Sequence, residues 1–197
     1  MKIFIKIRFV GLFLGLLYSQ FFGQTPMFSN PVIKGGYPDP SICRAGEDYY
    51  IVNSSFEYFP GIPIHHSKDL ANWTLIGHGL HKKEQCTGRM NLVDVQSNGG
   101  IHAPTIRYHN GKFFIITTNV YQPKKDEPAQ MINFIITASN VEGPWSNPII
   151  VEGAPGIDPH IFFDDDGKIY YIGNHIPENP NFQGEGEIWI QELDSTT

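Results

Sequence analysis

Apolar residues in this chain come in short runs of four to eight, broken by clusters of Gly, Asp, Asn and Pro, and few segments show the 3.6-residue spacing of a helix. Ser41-Ile42-Cys43 is followed by a turn at Gly46-Glu47-Asp48 and then by Tyr49-Tyr50-Ile51-Val52. Thr105-Ile106-Arg107-Tyr108 turns at Asn110-Gly111 into Phe113-Phe114-Ile115-Ile116. Ile161-Phe162-Phe163 turns at Asp164-Asp165-Asp166-Gly167 into Ile169-Tyr170-Tyr171-Ile172. Tight polar turns between runs rich in β-branched and aromatic residues are hairpin chemistry, and the pattern predicts an all-β fold.

The three hairpins are copies of one phrase. Asp39-Pro40-Ser41-Ile42, Ala103-Pro104-Thr105-Ile106 and Asp158-Pro159-His160-Ile161 each open a hairpin, with a period of 64 and then 55 residues. Downstream, Ile64-His65-His66-Ser67 leads to Trp73 and Ile135-Ile136-Thr137-Ala138-Ser139 to Trp145, six residues from Ser to Trp in both copies. A further apolar run follows each Trp, at Thr74-Leu75-Ile76 and Ile149-Ile150-Val151, and Ile188-Trp189-Ile190-Gln191 matches a third strand of the next copy. A unit of four short strands, repeated, predicts the blades of a β-propeller in preference to a β-sandwich. Asp39 to Thr197 holds nearly three such units, whereas propellers close with about four to eight blades. The expectation is therefore an incomplete propeller, the N-terminal part of a larger domain.

The first 23 residues follow a different logic. Lys2, Lys6 and Arg8 precede the apolar run 10–18, and small or polar residues follow, up to Gly23. This is the pattern of a secretory signal peptide over residues 1–23, too short and wrongly flanked for a membrane span. It predicts an exported protein, periplasmic or extracellular, whose mature part runs over 24–197. Loss of the three basic residues moves the formal net charge from −6 to −9. An acidic chain without a basic stripe is a poor nucleic-acid partner. Cys43 and Cys86 would meet an oxidising compartment, where a disulfide is allowed, but spacing alone does not pair them.

Candidate chemistry gathers at the repeated phrase. Pro38 and Pro40 flank Asp39, and a following proline biases a residue away from the helical region towards extended backbone. In a propeller the residue before the first strand of each blade sits at the rim of the central channel. Asp39, Ala103 and Asp158 hold that place, so two carboxylates would face one cleft with a small residue between them. Paired carboxylates are what glycoside hydrolysis uses, one protonating the leaving oxygen and the other activating water or attacking directly.

Tyr37-Pro38-Asp39-Pro40-Ser41, Ala103-Pro104-Thr105-Ile106-Arg107-Tyr108 and Gly156-Ile157-Asp158-Pro159 with Phe162-Phe163-Asp164-Asp165-Asp166-Gly167 together resemble glycoside hydrolase family 43. So does Gly61-Ile62-Pro63-Ile64-His65-His66-Ser67-Lys68-Asp69-Leu70. The resemblance covers the chain from about Asn30 to its end. It implies a five-bladed propeller of the β-xylosidase and α-L-arabinofuranosidase type, acting on xylose- or arabinose-containing plant polysaccharides. It further implies Asp39 as the general base of an inverting mechanism and Asp158 as the aspartate that tunes the acid and orients the sugar. The family's general acid is a glutamate one blade further on. Adding the repeat period to 158 places it near about 213 to 222, so this chain alone is expected to lack it. Glu178, Glu185, Glu187 and Glu192 do not sit in the family's phrase. His102 stands where the family usually has an aromatic residue, which leaves sugar preference open.

Phe56 and Phe59, in a Pro- and Gly-bounded loop, are candidates for an apolar platform under a sugar ring; His102, Ala103 and Asn119 complete the expected substrate contacts. Asp164-Asp165-Asp166-Gly167 lacks the later ligands of a calcium loop and reads as a turn. His65 and His66 point to opposite faces of a strand and do not chelate one metal together. No cofactor is expected and no metal site is assigned; a structural calcium in a complete domain is not supported by any ligand set here. The expected partner is carbohydrate; oligomeric state stays open. Two other readings remain: a non-catalytic carbohydrate-binding propeller, and a retaining, invertase-like propeller glycosidase. The latter carries Asn-Asp-Pro and Arg-Asp-Pro phrases where this chain has Tyr37-Pro38-Asp39 and Ile157-Asp158.

Overall fold

The computed structural model describes residues 28–122 and 124–194. The chain divides into two units, Met1–Val32 and Ile33–Thr197. Only residues 28–32 of the first are described, so the predicted signal segment 1–23 lies outside the described residues. No helix among the described residues is long and apolar enough to cross a membrane.

The second unit is built of three antiparallel sheets. The first holds β1 (Ser41–Ala45), β2 (Asp48–Val52), β3 (Gly61–Ser67) and β4 (Thr74–Leu80), hydrogen-bonded in that order. The second repeats the meander with β5 (Gly100–His109), β6 (Lys112–Tyr121), β7 (Gln130–Ala138) and β8 (Ile149–Ile150). The third has β9 (Ile157–Phe163), β10 (Ile169–His175) and β11 (Glu187–Leu193). Each predicted hairpin is present, and Ile188-Trp189-Ile190-Gln191 is the third strand of its sheet. The triple aspartate is the β9–β10 turn, closed by the Asp164 N–H donating to Lys168 O at 2.9 Å.

The sheets stack through their first strands, β1 against β5 and β5 against β9. Strand alternation sends neighbouring side chains to opposite faces, and β6 uses both. Ile115 packs with Val52, Ile62, Ile64 and Phe134 in the core shared by the first two sheets. Ile116 packs with Ile161 and Tyr171 towards the third. Full burial of each such side chain stabilises by about 1.5–3 kcal/mol. The two Trp landmarks do similar work in their turns: Trp73 Nε1 donates to Leu70 O at 3.0 Å and Trp145 Nε1 to Val141 O at 3.1 Å.

Residues 81–99, between the first two sheets, carry no strand, only two short 3-10 turns at Lys83–Cys86 and Gly88–Met90. Gln85, 1% exposed, anchors this connection. Its Nε2 donates to Gly79 O at 3.1 Å and Ser146 O at 2.9 Å, and its Oε1 accepts from the His81 and Lys82 N–H groups. Cys43 and Cys86 are both free thiols. Burial pushes the Cys43 thiol up to about 11 against a smaller opposing pull from Arg107, so it is a packing group rather than a nucleophile.

Candidate active site

The heads of β1, β5 and β9 share one backbone irregularity. On β5 the pairing steps from His102–Thr118 to Thr105–Ile116, so Ala103 and Pro104 together face Thr117. On β9 it steps from Ile157–Asn174 to His160–Ile172, so Asp158 and Pro159 face Gly173. On β1 the last ladder pair is Ser41–Val52, and the Ser54 N–H donates to Pro38 O at 3.1 Å, so Asp39 and Pro40 face Asn53. Each repeat thus opens with a two-against-one bulge. The first bulge residue is left-handed in every case: Asp39 at φ 52°, Ala103 at 35° and Asp158 at 57°. This corrects the extended backbone expected of Asp39. Proline disfavours the right-handed helical region for the residue before it, and the extra residue of each bulge here turns left. Non-glycine residues rarely take that conformation, and strain of this kind concentrates where side chains are aimed.

The bulges present the carboxylates. Asp39 and Asp158 are both exposed, while Pro159 is buried beneath its aspartate. The residue one step past each bulge on the second strand is polar: Ser54, Thr118 and Asn174. Ser54, 2% exposed, donates from Oγ to Asp39 Oδ2 at 2.6 Å. Asn174 Nδ2 lies 3.4 Å from Asp158 Oδ2. The residue facing each bulge ties it down: Asn53 Nδ2 donates to the Tyr37 and Pro38 carbonyls at 2.8 and 3.1 Å, and Thr117 Oγ1 to His102 O at 2.6 Å. Gly173, with no side chain, is the exception.

Phe56 and His102 meet edge-to-face with ring centroids 5.0 Å apart. The loop carrying Phe56 is pinned to the second sheet by an isolated bridge to Ile101. Phe59 is 50% exposed at the tip of the same loop. Ala103 is half-buried at its bulge, next to the Phe56–His102 pair in sequence and register. Asn119 is placed differently from the expected sugar ligand. It is 0% exposed, and its Nδ2 donates to Arg89 O at 3.3 Å inside the connection between the sheets.

Two residues after each left-handed bulge residue, Ser41, Thr105 and His160 occupy equivalent places. Ser41 Oγ accepts from the Ile106 N–H at 3.2 Å, tying β1 to β5. Arg107 Nη2 contacts His160 Nε2, tying β5 to β9. Burial, reinforced by Arg107, holds the His160 imidazole below its ordinary value, so it stays neutral and can accept that contact. The sequence reading missed Ser54, Asn174 and Arg107. The first two were signalled: a polar residue follows Val52-Asn53, Ile116-Thr117 and Ile172-Gly173 alike.

A cleft of about 320 Å³ opens beside Ser54, lined also by Tyr37, Ser55, Tyr58, Pro63 and His78. A larger one, about 520 Å³, runs between β7–β8 and the third sheet, and neither Asp39 nor Asp158 lines it. The candidate site is taken at the bulges, because two carboxylates, Asp39 and Asp158, recur there at equivalent places on left-handed backbone, whereas the larger groove is mainly apolar although Glu152, Glu192 and Asp194 border it. Among the described residues no group of three His, Cys, Asp or Glu side chains is arranged to hold a metal ion.

Stacked antiparallel sheets joined through their first strands define an all-β, blade-built protein of the propeller kind. Residues 28–197 match Glycosyl hydrolases family 43, and the chain belongs to that family. It is 50% identical over 169 residues to a xylosidase/arabinosidase of Butyrivibrio fibrisolvens, covering 84% of this chain and 30% of that protein. A non-reducing end alpha-L-arabinofuranosidase of Bacteroides ovatus is 41% identical, over 96% of this chain and 33% of its own length. Among solved structures, xylan beta-1,4-xylosidase from Bacillus halodurans C-125 superposes with a TM-score of 0.73 at 39% identity, over 86% of this chain and 31% of that one. The chain therefore spans about a third of the length of the relatives it matches.

Proposed function

We propose that this chain is the N-terminal part of an exported glycoside hydrolase that cleaves xylose- or arabinose-containing plant polysaccharides with inversion. The observation that carries the reading is the Asp39 carboxylate, exposed at the head of β1 with one oxygen held by a buried serine. In this reading Asp39 Oδ1 takes a proton from water as the water oxygen attacks the anomeric carbon. The leaving oxygen takes a proton from a glutamate beyond residue 197, in a later blade of a five-bladed ring. Asp158 adjusts that acid and orients the sugar, and Asn174 steadies Asp158. The Phe56–His102 pair, Phe59 and the small Ala103 form the floor on which a pentose ring sits. No cofactor is needed, since both proton transfers are between carboxyl groups and oxygen.

The relatives named for xylosidase and arabinofuranosidase activity support the sugar class. The test is hydrolysis of aryl β-xylosides and aryl α-L-arabinofuranosides by the full-length protein and its Asp39→Asn variant. Loss of a general base lowers turnover by about 10²–10⁴-fold. Unchanged turnover removes Asp39 from the mechanism. Sugar binding without turnover by the unsubstituted protein replaces the enzyme reading with a carbohydrate-binding propeller.

A further inference from the structure

We infer that Ser54 is the positioning residue of the catalytic base: it fixes which oxygen of Asp39 faces water and locks that choice to the backbone of the neighbouring sheet. This rests on the reading of Asp39 as the general base.

Two short contacts meet at one hydroxyl. The Ala103 N–H, at the bulge of the second sheet, donates to Ser54 Oγ at 2.6 Å. Ser54 Oγ lies 2.6 Å from Asp39 Oδ2, at the bulge of the first. A hydroxyl has one proton and can accept through its lone pairs. An amide N–H cannot accept, so that contact takes one of the Ser54 lone pairs. The proton is left for Asp39, and a donated hydrogen bond requires an acceptor oxygen there. The relay therefore runs in one direction, from amide to hydroxyl to carboxylate, and it suits Asp39 only while Oδ2 is unprotonated. Oδ1 has no hydrogen-bond partner among the described residues and remains the oxygen open to a water molecule.

The surroundings leave Ser54 no alternative partner. It is 2% exposed, and its own N–H is committed to Pro38 O at 3.1 Å. Both ends of the relay sit on strained left-handed residues, Asp39 and Ala103, so neither end drifts freely. The other sheets put the same register to a different use. Thr118 Oγ1 donates to Asn133 Oδ1 at 2.6 Å inside its own sheet, facing a bulge that carries no acid. Asn174 reaches Asp158 from an amide at 3.4 Å, without a link to a neighbouring sheet. Among the described residues, only in the first sheet does a hydroxyl join a carboxylate to the next bulge, and that is the carboxylate assigned to water activation. A base that has to meet water along one line gains most from having its orientation set beforehand.

The test uses the full-length protein with Ser54→Ala, Ser54→Thr and Asp39→Asn. Ser54→Ala is expected to lower kcat by about 10–100-fold, the range for a lost hydrogen bond to a charged group, with KM unchanged within about twofold. Ser54→Thr, which keeps the hydroxyl in a register where the second sheet already carries Thr118, is expected to recover most of that loss. Thermal melting of all three variants separates misfolding from misorientation. If Ser54→Ala keeps its kcat, if its loss appears in KM instead, or if threonine restores stability without restoring kcat, Ser54 is structural and the inference falls. Asp39→Asn with unchanged turnover overturns the reading of the base itself, an outcome distinct from any result at Ser54.

Discussion

At the scale of single residues, the site depends on backbone that most side chains avoid. The equivalent places of Asp39 and Asp158 were legible because each precedes a proline at the same point in a repeat. Their left-handed φ was not, since the rule for residues before proline points to extended backbone and the bulge is set by sheet register. Asn119 shows the opposite failure: a polar residue after Thr117-Thr118 reads as a surface ligand, yet it closes the inside of a connection. Gly156 makes the dependence on backbone testable. It sits at φ 77°, and a Cβ there would lie 1.8 Å from Asn174 O. Gly156→Ala must therefore push Asn174 away from Asp158. The left-handed conformation alone costs about 1–3 kcal/mol, so the melting temperature is expected to fall. If Asp158 acts as proposed, turnover of the full-length variant falls with it. A variant with the melting temperature of the parent would show that β10 absorbs the change.

At the scale of elements, strands with alternating or continuous apolar runs were readable and the segment between β4 and β5 was not. Residues 81–99 have no period because their order comes from side-chain hydrogen bonds, above all from Gln85. Gln85→Leu keeps the volume but leaves Gly79 O, Ser146 O and two backbone N–H groups unpaired. At about 1–3 kcal/mol for a buried group left unsatisfied, the loss is expected to reach at least about 2 kcal/mol, read as a lower urea midpoint. The β3–β4 pair adds a pH dependence. Burial, then His78, holds His65 below its ordinary 6.5. Burial, then His81, does the same for His78. Both are neutral in the folded state, so the unfolded chain binds protons first as pH falls. Their contribution is full above about 6.5 and is lost as pH falls through the lower folded values. Denaturant midpoints are expected to decline from pH 7 to pH 5. His65→Phe, which preserves the edge contact with Tyr37 at 4.6 Å, should flatten that slope. An unaltered slope would assign it to other groups.

At the scale of the whole molecule, the three sheets and their order follow the repeat, because each sheet is one copy of a phrase that cannot bury its face alone. What the phrase did not convey is the state of the last strand. Among the described residues β11 pairs only with β10, so its other edge offers unpaired backbone groups. Ile188 and Ile190, two apart and on one face, are 70% and 62% exposed. An apolar edge strand is a template for pairing with another chain. The charge opposes this, since the chain without residues 1–23 carries a formal −9. That repulsion is long-range and screened, with a Debye length of about 10 Å at 0.1 M salt and about 3 Å at 1 M, whereas strand pairing acts at contact. A chain of residues 24–197 purified by itself is therefore expected to self-associate, and more strongly at high salt than at low. Ile188→Lys with Ile190→Lys should return it to a monomer by light scattering. Association that weakens as salt rises would mean that ion pairs, not the β11 edge, hold the copies together.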